Sequence, residues 1–460
     1  MLGDLPSNPH YRAALAIVRR LRDAGHQAFF AGGCVRDLLL GLAPQDFDVA
    51  TSATPDQIVA LFPKTFTVGA HFGVVIVCDE IDGESVATEV ATFRNDGAYS
   101  DGRRPDAVRY TTDPREDVLR RDFTINGLLL DPLAACNPAS ATLDFVHGRE
   151  DLVRGIIRAI GDPALRFAED KLRMMRAVRF AARLRFQIDP ATSAAIRRHA
   201  AEINQVSAER IRDELTRILT EGGARRGFEL LFDLGLLAQV LPEAVRLRGV
   251  AQPPEFHPEG DVWTHTLLML ENLPRSASAT LAWAALLHDI GKPATYQPAD
   301  PAIPGSRIRF HGHVEAGVRI AETILARLRF SGDDTTQIVS LVANHMRFGD
   351  VLQMKQSTLK RFLRLPRFDE HLALHRLDAL SAHGDLTCYN FARVQFEAEP
   401  APDLRPAPLV TGRDLIAAGY RPSPQFKPML ALAEDAQLEG AITTREQALA
   451  LVVAAYPRPK

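Results

Sequence analysis

The sequence predicts an α+β fold: a small mixed sheet with helices over roughly the first 150 residues, then helical domains to the end. Three observations predict it. Short β-type runs alternate with helical ones up to residue 150, and almost everything from Pro163 to Ala244 carries helical periodicity. Proline-rich breaks then interrupt the chain, one at AQPPEFHPEGD (251–261) and one holding Pro400, Pro402, Pro406 and Pro408. The boundaries so drawn divide the chain into 1–150, 151–250, 251–395 and 396–460.

Each element has its own warrant. Tyr11 to Ala24 reads as a helix, with Asn8 as N-cap and Pro9 at its first position. Gln27 to Ala31 reads as a strand, Gly32-Gly33 as a tight turn and Val35 to Leu40 as a short helix. Phe47 to Ala50, Val74 to Cys78 and Ser85 to Phe93, rich in Val, Thr and Phe, are further strands. In the helical part, Leu172, Met175, Val178, Phe180 and Ala182 make an apolar face, while Arg173, Arg176 and Arg179 recur every three residues. Near the end, Thr443 and Glu446 have capping-box spacing before a helix over Ala448 to Ala455.

Composition excludes several classes. With 460 residues, 46% hydrophobic and 24% charged, the chain is not disordered. The apolar run Leu281 to Leu287 falls far short of the roughly 18 residues a membrane span needs. The N-terminus lacks the pattern of a secretory signal, and Cys34, Cys78, Cys136 and Cys388 lack metal-type spacing, so a reduced, cytoplasmic setting is expected. Net charge is −3, yet residues 151–226 hold 16 Lys+Arg against 10 Asp+Glu. That local excess suits an anionic polymer.

The first chemical constellation starts at Gly32-Gly33. Backbone N–H groups at such a turn can cradle phosphate. Asp46 and Asp48 flank Phe47 in a predicted strand, where a period of two aims both carboxylates at one face. Two bare carboxylates there repel each other, and a divalent cation relieves the repulsion; Mg²⁺ prefers a few carboxylates completed by substrate phosphate. Glu89, in a later strand, offers a third acid. A phosphate turn, a D-x-D pair and a third acid suit two-metal nucleotidyl transfer.

In these motifs the sequence resembles the bacterial class II tRNA nucleotidyltransferase and poly(A) polymerase family. The matching motifs are GGCVRD (32–37), DFDVAT (46–51), EVATFR (89–94), RRDFTING (120–127), RFAEDKLRMMRAVRFAARL (166–184) and SAERIRDEL (207–215). The resemblance implies a polymerase-β-like head at 1–150, a nucleotide-selecting, RNA-binding neck and body at 151–250, and addition of tRNA 3′-terminal CCA from CTP and ATP. It implies that Asp46 and Asp48 hold Mg²⁺ and that Gly32, Gly33, Arg36 and Arg121 lie on the triphosphate. Asp122, with Asn126 in the same motif, would sit near the ribose. Asp170 and Arg173, read as i and i+3 on one helix face, would select bases. Asp only accepts and Arg only donates, which matches the amino donor and ring-nitrogen acceptor shared by C and A. Arg176 and Arg179 extend that row toward base or phosphate. Addition of A alone, or of poly(A), is the alternative within the class; the stretch 96–112 resembles the flexible loop of enzymes that add the terminal A and argues against an enzyme limited to C, while 67–75 looks more like tRNA-tail enzymes than poly(A) polymerases. Gly127 stands where the family usually carries Ala, an exchange expected to matter little.

A second set, VWTHTLLML, LLHDIGK, FHGHVEAG and VANHMRF, resembles the HD phosphohydrolase family. The resemblance implies a metal held at 251–395 by His265, His288, Asp289 and Asp378, with Asp385 as rival for the last place. His311, His313 and His345 would complete a second metal or a phosphate pocket. His and carboxylate donors suit Mn²⁺, Ni²⁺, Co²⁺, Zn²⁺ or Fe²⁺. A remote alternative makes this HD site the working part, acting on RNA ends beside an idle transferase. The tail, 396–460, is expected to dock tRNA or merely to pack. No membrane partner is expected, and the oligomeric state is open.

Overall fold

The computed structural model describes Leu5 and residues 7–67, 73–96, 108–134, 138–303, 305–398 and 406–457. Most of the stretches 67–75 and 96–112, together with Cys136, Pro400 and Pro402, lies outside the described residues. The chain divides into two compact units, 1–242 and 243–460.

In the first unit, α1 (Pro9–Asp23) is capped by Asn8, whose side chain accepts from the His10 and Tyr11 amides. It leads into β1 (Ala28–Ala31), α2 (Gly33–Leu39), β2 (Val49–Thr51), α3 (Pro55–Leu61) and β3 (Thr65–Phe66). The hairpin β4 (Val74–Ile81) and β5 (Glu84–Thr92) follows, then β6 (Arg94–Asp96), β7 (Val108–Tyr110), α4 (Pro114–Leu119), β8 (Leu128–Leu130) and β9 (Thr142–Asp144). Seven strands form one sheet in the order β3-β4-β5-β2-β1-β8-β9. β2 and β5 run parallel, Val49 beside Val90, and β1 is antiparallel to both β2 and β8. A buried layer of Phe29, Ala31, Ala50, Phe93, Val118 and Leu129 packs one face.

Helices then take over: α5 (Gly148–Arg154), β10 (Ile156–Ile157), α6 (Pro163–Glu169), α7 (Arg173–Leu184), β11 (Gln187–Ile188), α8 (Pro190–His199), α9 (Ala208–Thr220) and α10 (Ala224–Asp233). Helix α7 buries Met174, Met175, Ala177, Val178, Phe180, Ala181 and Ala182. That apolar stripe lets it anchor α9 and α10.

The second unit is helical. The helix Ala279–Leu287 is buried at every position from Thr280 onward. This explains why its sequence shows no polar face. Trp283 is fully buried there, with its ring edge against Phe330 at 5.1 Å.

Three expectations need correcting. Asp46, Phe47 and Asp48 precede β2 rather than lying in it, because pairing with β1 begins only at Val49 opposite Phe30. The alternation survives without the ladder: Phe47 is 2% exposed, while Asp46 is exposed and Asp48 half-buried. The terminal capping box is one residue later than read, formed by Thr444 and Gln447. Gly127 is not a neutral exchange: a Cβ there would stand 2.8 Å from Val146, and 3.1 Å from both Ile160 and Val118.

Candidate active sites

A cavity of about 690 Å³ opens in the first unit, walled by the end of β1, the turn into α2, the segment before β2, one face of β5 and the start of α7. Gly32 makes that turn at φ +73, where an L side chain is strained, and a Cβ would meet the Arg121 guanidinium at 3.2 Å. Both glycines, Asp46, Asp48, Glu89, Arg36, Arg121, Asp122, Asn126, Asp170, Arg173, Arg176 and Arg179 all line this one cavity.

The acids occupy one side. The parallel pairing of β2 with β5 sets Val49 beside Val90, so Asp48 and Glu89 precede paired positions on neighbouring strands. Burial, then the charges of Asp46 and Glu89, push the Asp48 carboxyl up to about 7. The charges of Asp46 and Glu89 thus bear on Asp48, and the three together favour a positive charge nearby. Their hard oxygens, beside a turn lined by arginine, fit a divalent ion such as Mg²⁺.

The arginine side is more engaged than the sequence indicated. Arg36 is 2% exposed, donating to Asp37 at 2.8 Å and Asn126 Oδ1 at 2.8 Å. Arg121 leans on Asp117 at 3.0 Å. Asp122 accepts from Arg176 at 2.9 and 2.6 Å, from Asn126 Nδ2 at 3.1 Å and from the Phe123 amide at 2.8 Å. Burial alone would raise its pKa, but Arg176 prevails and holds it at about 2. Four bonds fill the lone pairs of a carboxylate. Asp122 thus anchors Arg176, and a ribose hydroxyl would have to take the place of one of these partners. Arg179 is buried on Glu214 at 2.6 Å and reaches Glu221 at 2.9 Å.

Asp170 and Arg173 do not share a helix as expected. Asp170 ends α6 with extended backbone (φ −147, ψ 106), and Arg173 opens α7. The chain breaks because the Asp170 side chain bonds the Leu172 amide at 3.1 Å, competing with the helix. Both residues still line the cavity. Each already has a partner: Arg210 at 2.8 Å on Asp170, Glu169 at 2.6 Å on Arg173. Arg210 and Arg217, one face of α9 seven residues apart, also reach the cavity, as do Arg120 and Arg183. Sequence reasoning missed all four. The signal for the first pair was their i, i+7 spacing across SAERIRDEL and the residues after it.

The second unit holds its own cavity of about 630 Å³, predominantly apolar, with Phe256, Phe310 and Met346 in its wall. Two clusters of donor groups are packed together here: His265, His288 and Asp378, and Asp289, His313 and His345. His265 Nε2 lies 3.1 Å from Asp378, and His288 Nε2 lies 3.1 Å from Asp289. His313 and His345 each approach Asp289 at 3.8 Å. The Nε2 atoms of all four histidines are buried without a hydrogen bond. Three of those rings face their Nδ1 to a carbonyl three residues back: His288 to Ala285, His313 to Phe310, His345 to Val342. That fixes Nδ1 as the donor and leaves Nε2 with a lone pair, the state a metal ligand needs. Burial pushes His345 down to about 4, so its ring is neutral. The donor set fits a transition-metal dication. His311 lines the cavity, exposed and outside both clusters. Asp385 is exposed and bonds Thr387 instead, at 2.8 Å to its amide.

Three stretches of the chain match known families. Residues 28–158 match the family described as Poly A polymerase head domain. Residues 185–247 match "Probable RNA and SrmB- binding site of polymerase A", and 261–382 match the HD domain. The chain is 42% identical over 226 residues to a CCA-adding enzyme of Limosilactobacillus fermentum, covering 49% of this chain and 54% of that one. It is 38% identical over 283 residues to a CCA-adding enzyme of Geobacillus thermodenitrificans, covering 62% and 64%. The matched part thus spans between about half and two thirds of those relatives. A crystal structure of the Bacillus stearothermophilus CCA-adding enzyme in complex with CTP superposes with a TM-score of 0.73 at 26% identity, covering 97% of this chain and 98% of that one. The Thermotoga maritima CCA-adding enzyme complexed with tRNA, at 17% identity and TM-score 0.55, shares the fold. By these matches residues 28–158 are similar to the poly A polymerase head domain family and residues 261–382 to the HD domain family.

Proposed function

We propose that the first unit adds or repairs the 3′-terminal CCA of tRNA from CTP and ATP without a template. In this reading, residues 1–150 carry the chemistry, 151–250 choose the nucleotide and hold RNA, 251–395 form the HD domain and 396–460 dock tRNA. The observation that carries it is a single cavity lined by Asp46, Asp48 and Glu89 together with the Gly32-Gly33 turn and Arg121, Asp170, Arg173 and Arg176. Asp46 and Asp48 would hold Mg²⁺, with Glu89 beside them. A bound ion supplies a lowered pKa at the primer 3′-hydroxyl and neutralises the departing pyrophosphate.

The chain's own groups do the rest. The Gly32-Gly33 turn lets phosphate approach the backbone, and Arg121 sets a positive charge beside it. Asp170 and Arg173 exchange their present partners, Arg210 and Glu169, for the Watson–Crick edge of C or A. U or G would face Asp170 with a carbonyl, leaving a desolvated acceptor unpaired at a cost of about 1–3 kcal/mol, roughly one to two decades of selectivity. The basic helices hold the acceptor stem mainly through its backbone, so binding should be shape-led and salt-sensitive. A cytoplasmic setting accords with Cys34, Cys78 and Cys388 being free thiols. Among the described residues no helix is long and apolar enough to cross a membrane.

Three labelled tRNA primers ending before the tail, after C and after CC, each incubated with a single nucleotide triphosphate, test this. C on the first two and A on the third is expected; A on the CC primer alone would make the protein an A-adding enzyme, and a long A tract a poly(A) polymerase. Asp46→Ala should abolish addition, and survival of addition would overturn the site.

A second reading rests on the four unbonded Nε2 atoms of the HD cavity. There, His265, His288, Asp289 and Asp378, with His313 and His345, would hold one or two of Mn²⁺, Ni²⁺, Co²⁺, Zn²⁺ or Fe²⁺ for phosphoester hydrolysis. Asp289→Ala should remove hydrolysis and spare addition, the converse of Asp46→Ala.

A further inference from the structure

The segment 251–261, a boundary by composition, delivers a buried acid to the HD cluster. Gly260 turns the chain at φ +127, and Asp261 caps the helix Val262–Glu271 by accepting from the Thr264 amide. The reversal brings Glu259 back against His265 on that helix. One oxygen, Glu259 Oε1, lies 2.7 Å from His265 Nδ1 and 2.8 Å from His257 Nδ1. The side chains are deeply placed: Glu259 is 8% exposed and His265 is 0% exposed. The other oxygen, Oε2, is buried and makes no hydrogen bond.

A buried carboxylate with one oxygen unsatisfied is a poor packing residue; an apolar side chain of the same size would cost less. Its retention calls for a task that needs the charge. His288, His313 and His345 have their tautomers fixed by backbone carbonyls, whereas His265 relies on this side chain alone. We infer that Glu259 is the positioning residue of the HD metal site. It holds the proton on His265 Nδ1, leaves Nε2 free toward His288 and Asp378, and raises the donor strength of the ring. The same oxygen ties in His257, a wall residue of the cavity, so the orientation of one ligand and the shape of the substrate space are set together. This rests on the metal reading of the cluster, and it concerns affinity rather than the identity of the substrate.

Carboxylates behind a ligating histidine typically contribute 10–100-fold in metal affinity. The full chain, stripped by chelator, is titrated with Co²⁺, read by calorimetry and by the visible spectrum of the bound ion. Glu259→Leu should weaken Co²⁺ binding 10–100-fold and shift its absorption bands, while the melting temperature of the metal-free protein stays within a few degrees. Glu259→Gln keeps an acceptor oxygen without the charge and should lose less than Glu259→Leu. Incorporation of CTP and ATP, which takes place in the other unit, should be unchanged in both. Wild-type affinity in a folded Glu259→Leu would overturn the inference. Should that variant fail to fold, an unaltered Co²⁺ affinity and spectrum in Glu259→Gln would overturn it equally. Failure of the unmodified chain to take up Co²⁺, or uptake undiminished in His288→Ala, would instead defeat the metal reading itself.

Discussion

Arg179 and Glu214 provide the sharpest test of how the arginine row is used. The pair joins α7 to α9 at 2.6 Å, with side chains 5% and 4% exposed, and Arg179 also reaches Glu221 at 2.9 Å, a partner that is 29% exposed. Removing one member of a buried pair strands the other charge, a cost of about 3–5 kcal/mol. Arg179→Met strands Glu214, although the nearby Arg176 charge offsets part of the loss, so about 3 kcal/mol is expected. For a unit of some 240 residues that is a fall in melting temperature of about 6–12 °C. Glu214→Leu should cost less, about 1–2 kcal/mol, because Arg179 keeps Glu221. The double variant, apolar on both sides, should return to within about 1 kcal/mol of the parent. The assay is a calorimetric melt of the full chain, following the transition of the first unit. Additive losses in the double variant would refute the argument, and so would a fall of less than about 2 °C in Arg179→Met.

Other outcomes follow from the same packing. Gly127→Ala adds a methyl where Val146, Ile160 and Val118 already close in; the variant should lose about 1–2 kcal/mol in a denaturant titration, and a gain would contradict the packing. Burial, reinforced by the Asp48 charge, pushes the Cys34 thiol up to about 12, so at pH 8 it should resist iodoacetamide while the partly exposed Cys78 and Cys388 react; mass spectrometry of the labelled peptides decides this. Asp122, held at about 2, is below its ordinary value, so its contribution is present above pH 4 and lost as pH falls through 2. The loss is about 2–3 kcal/mol, and melts of Asp122→Asn should show a lower start at neutral pH and a shallower acid decline.

Much of the cavity of the first unit was legible because its residues lie in short, contiguous words whose local geometry is self-determined. A glycine turn, an alternating acid pair and a strand acid need only the sheet order to meet. The assignment of partners was not legible. Asp122 carries an acid's signature whether it faces substrate or Arg176, and only the approach of α7 decides. Asp170 and Arg173 have helical spacing, yet the Asp side chain takes the Leu172 amide and ends α6 there. Gly127 looks innocuous because the crowding comes from Val146 and Ile160, both distant enough in sequence to leave no pattern. Glu259 was hidden for the opposite reason: a segment rich in proline and charge reads as solvent-exposed, and its fold-back onto His265 depends on one glycine at positive φ.

Three of the four clustered histidines of the second unit are tethered to main-chain carbonyls three residues behind them. Main-chain atoms are common to every residue type, so exchanges of neighbouring side chains leave those three rings aimed as they were. His265 alone takes its aim from a replaceable group. Drift in sequence therefore has a single handle on this centre: three spokes of the wheel are cast with the hub, and only the fourth is bolted on.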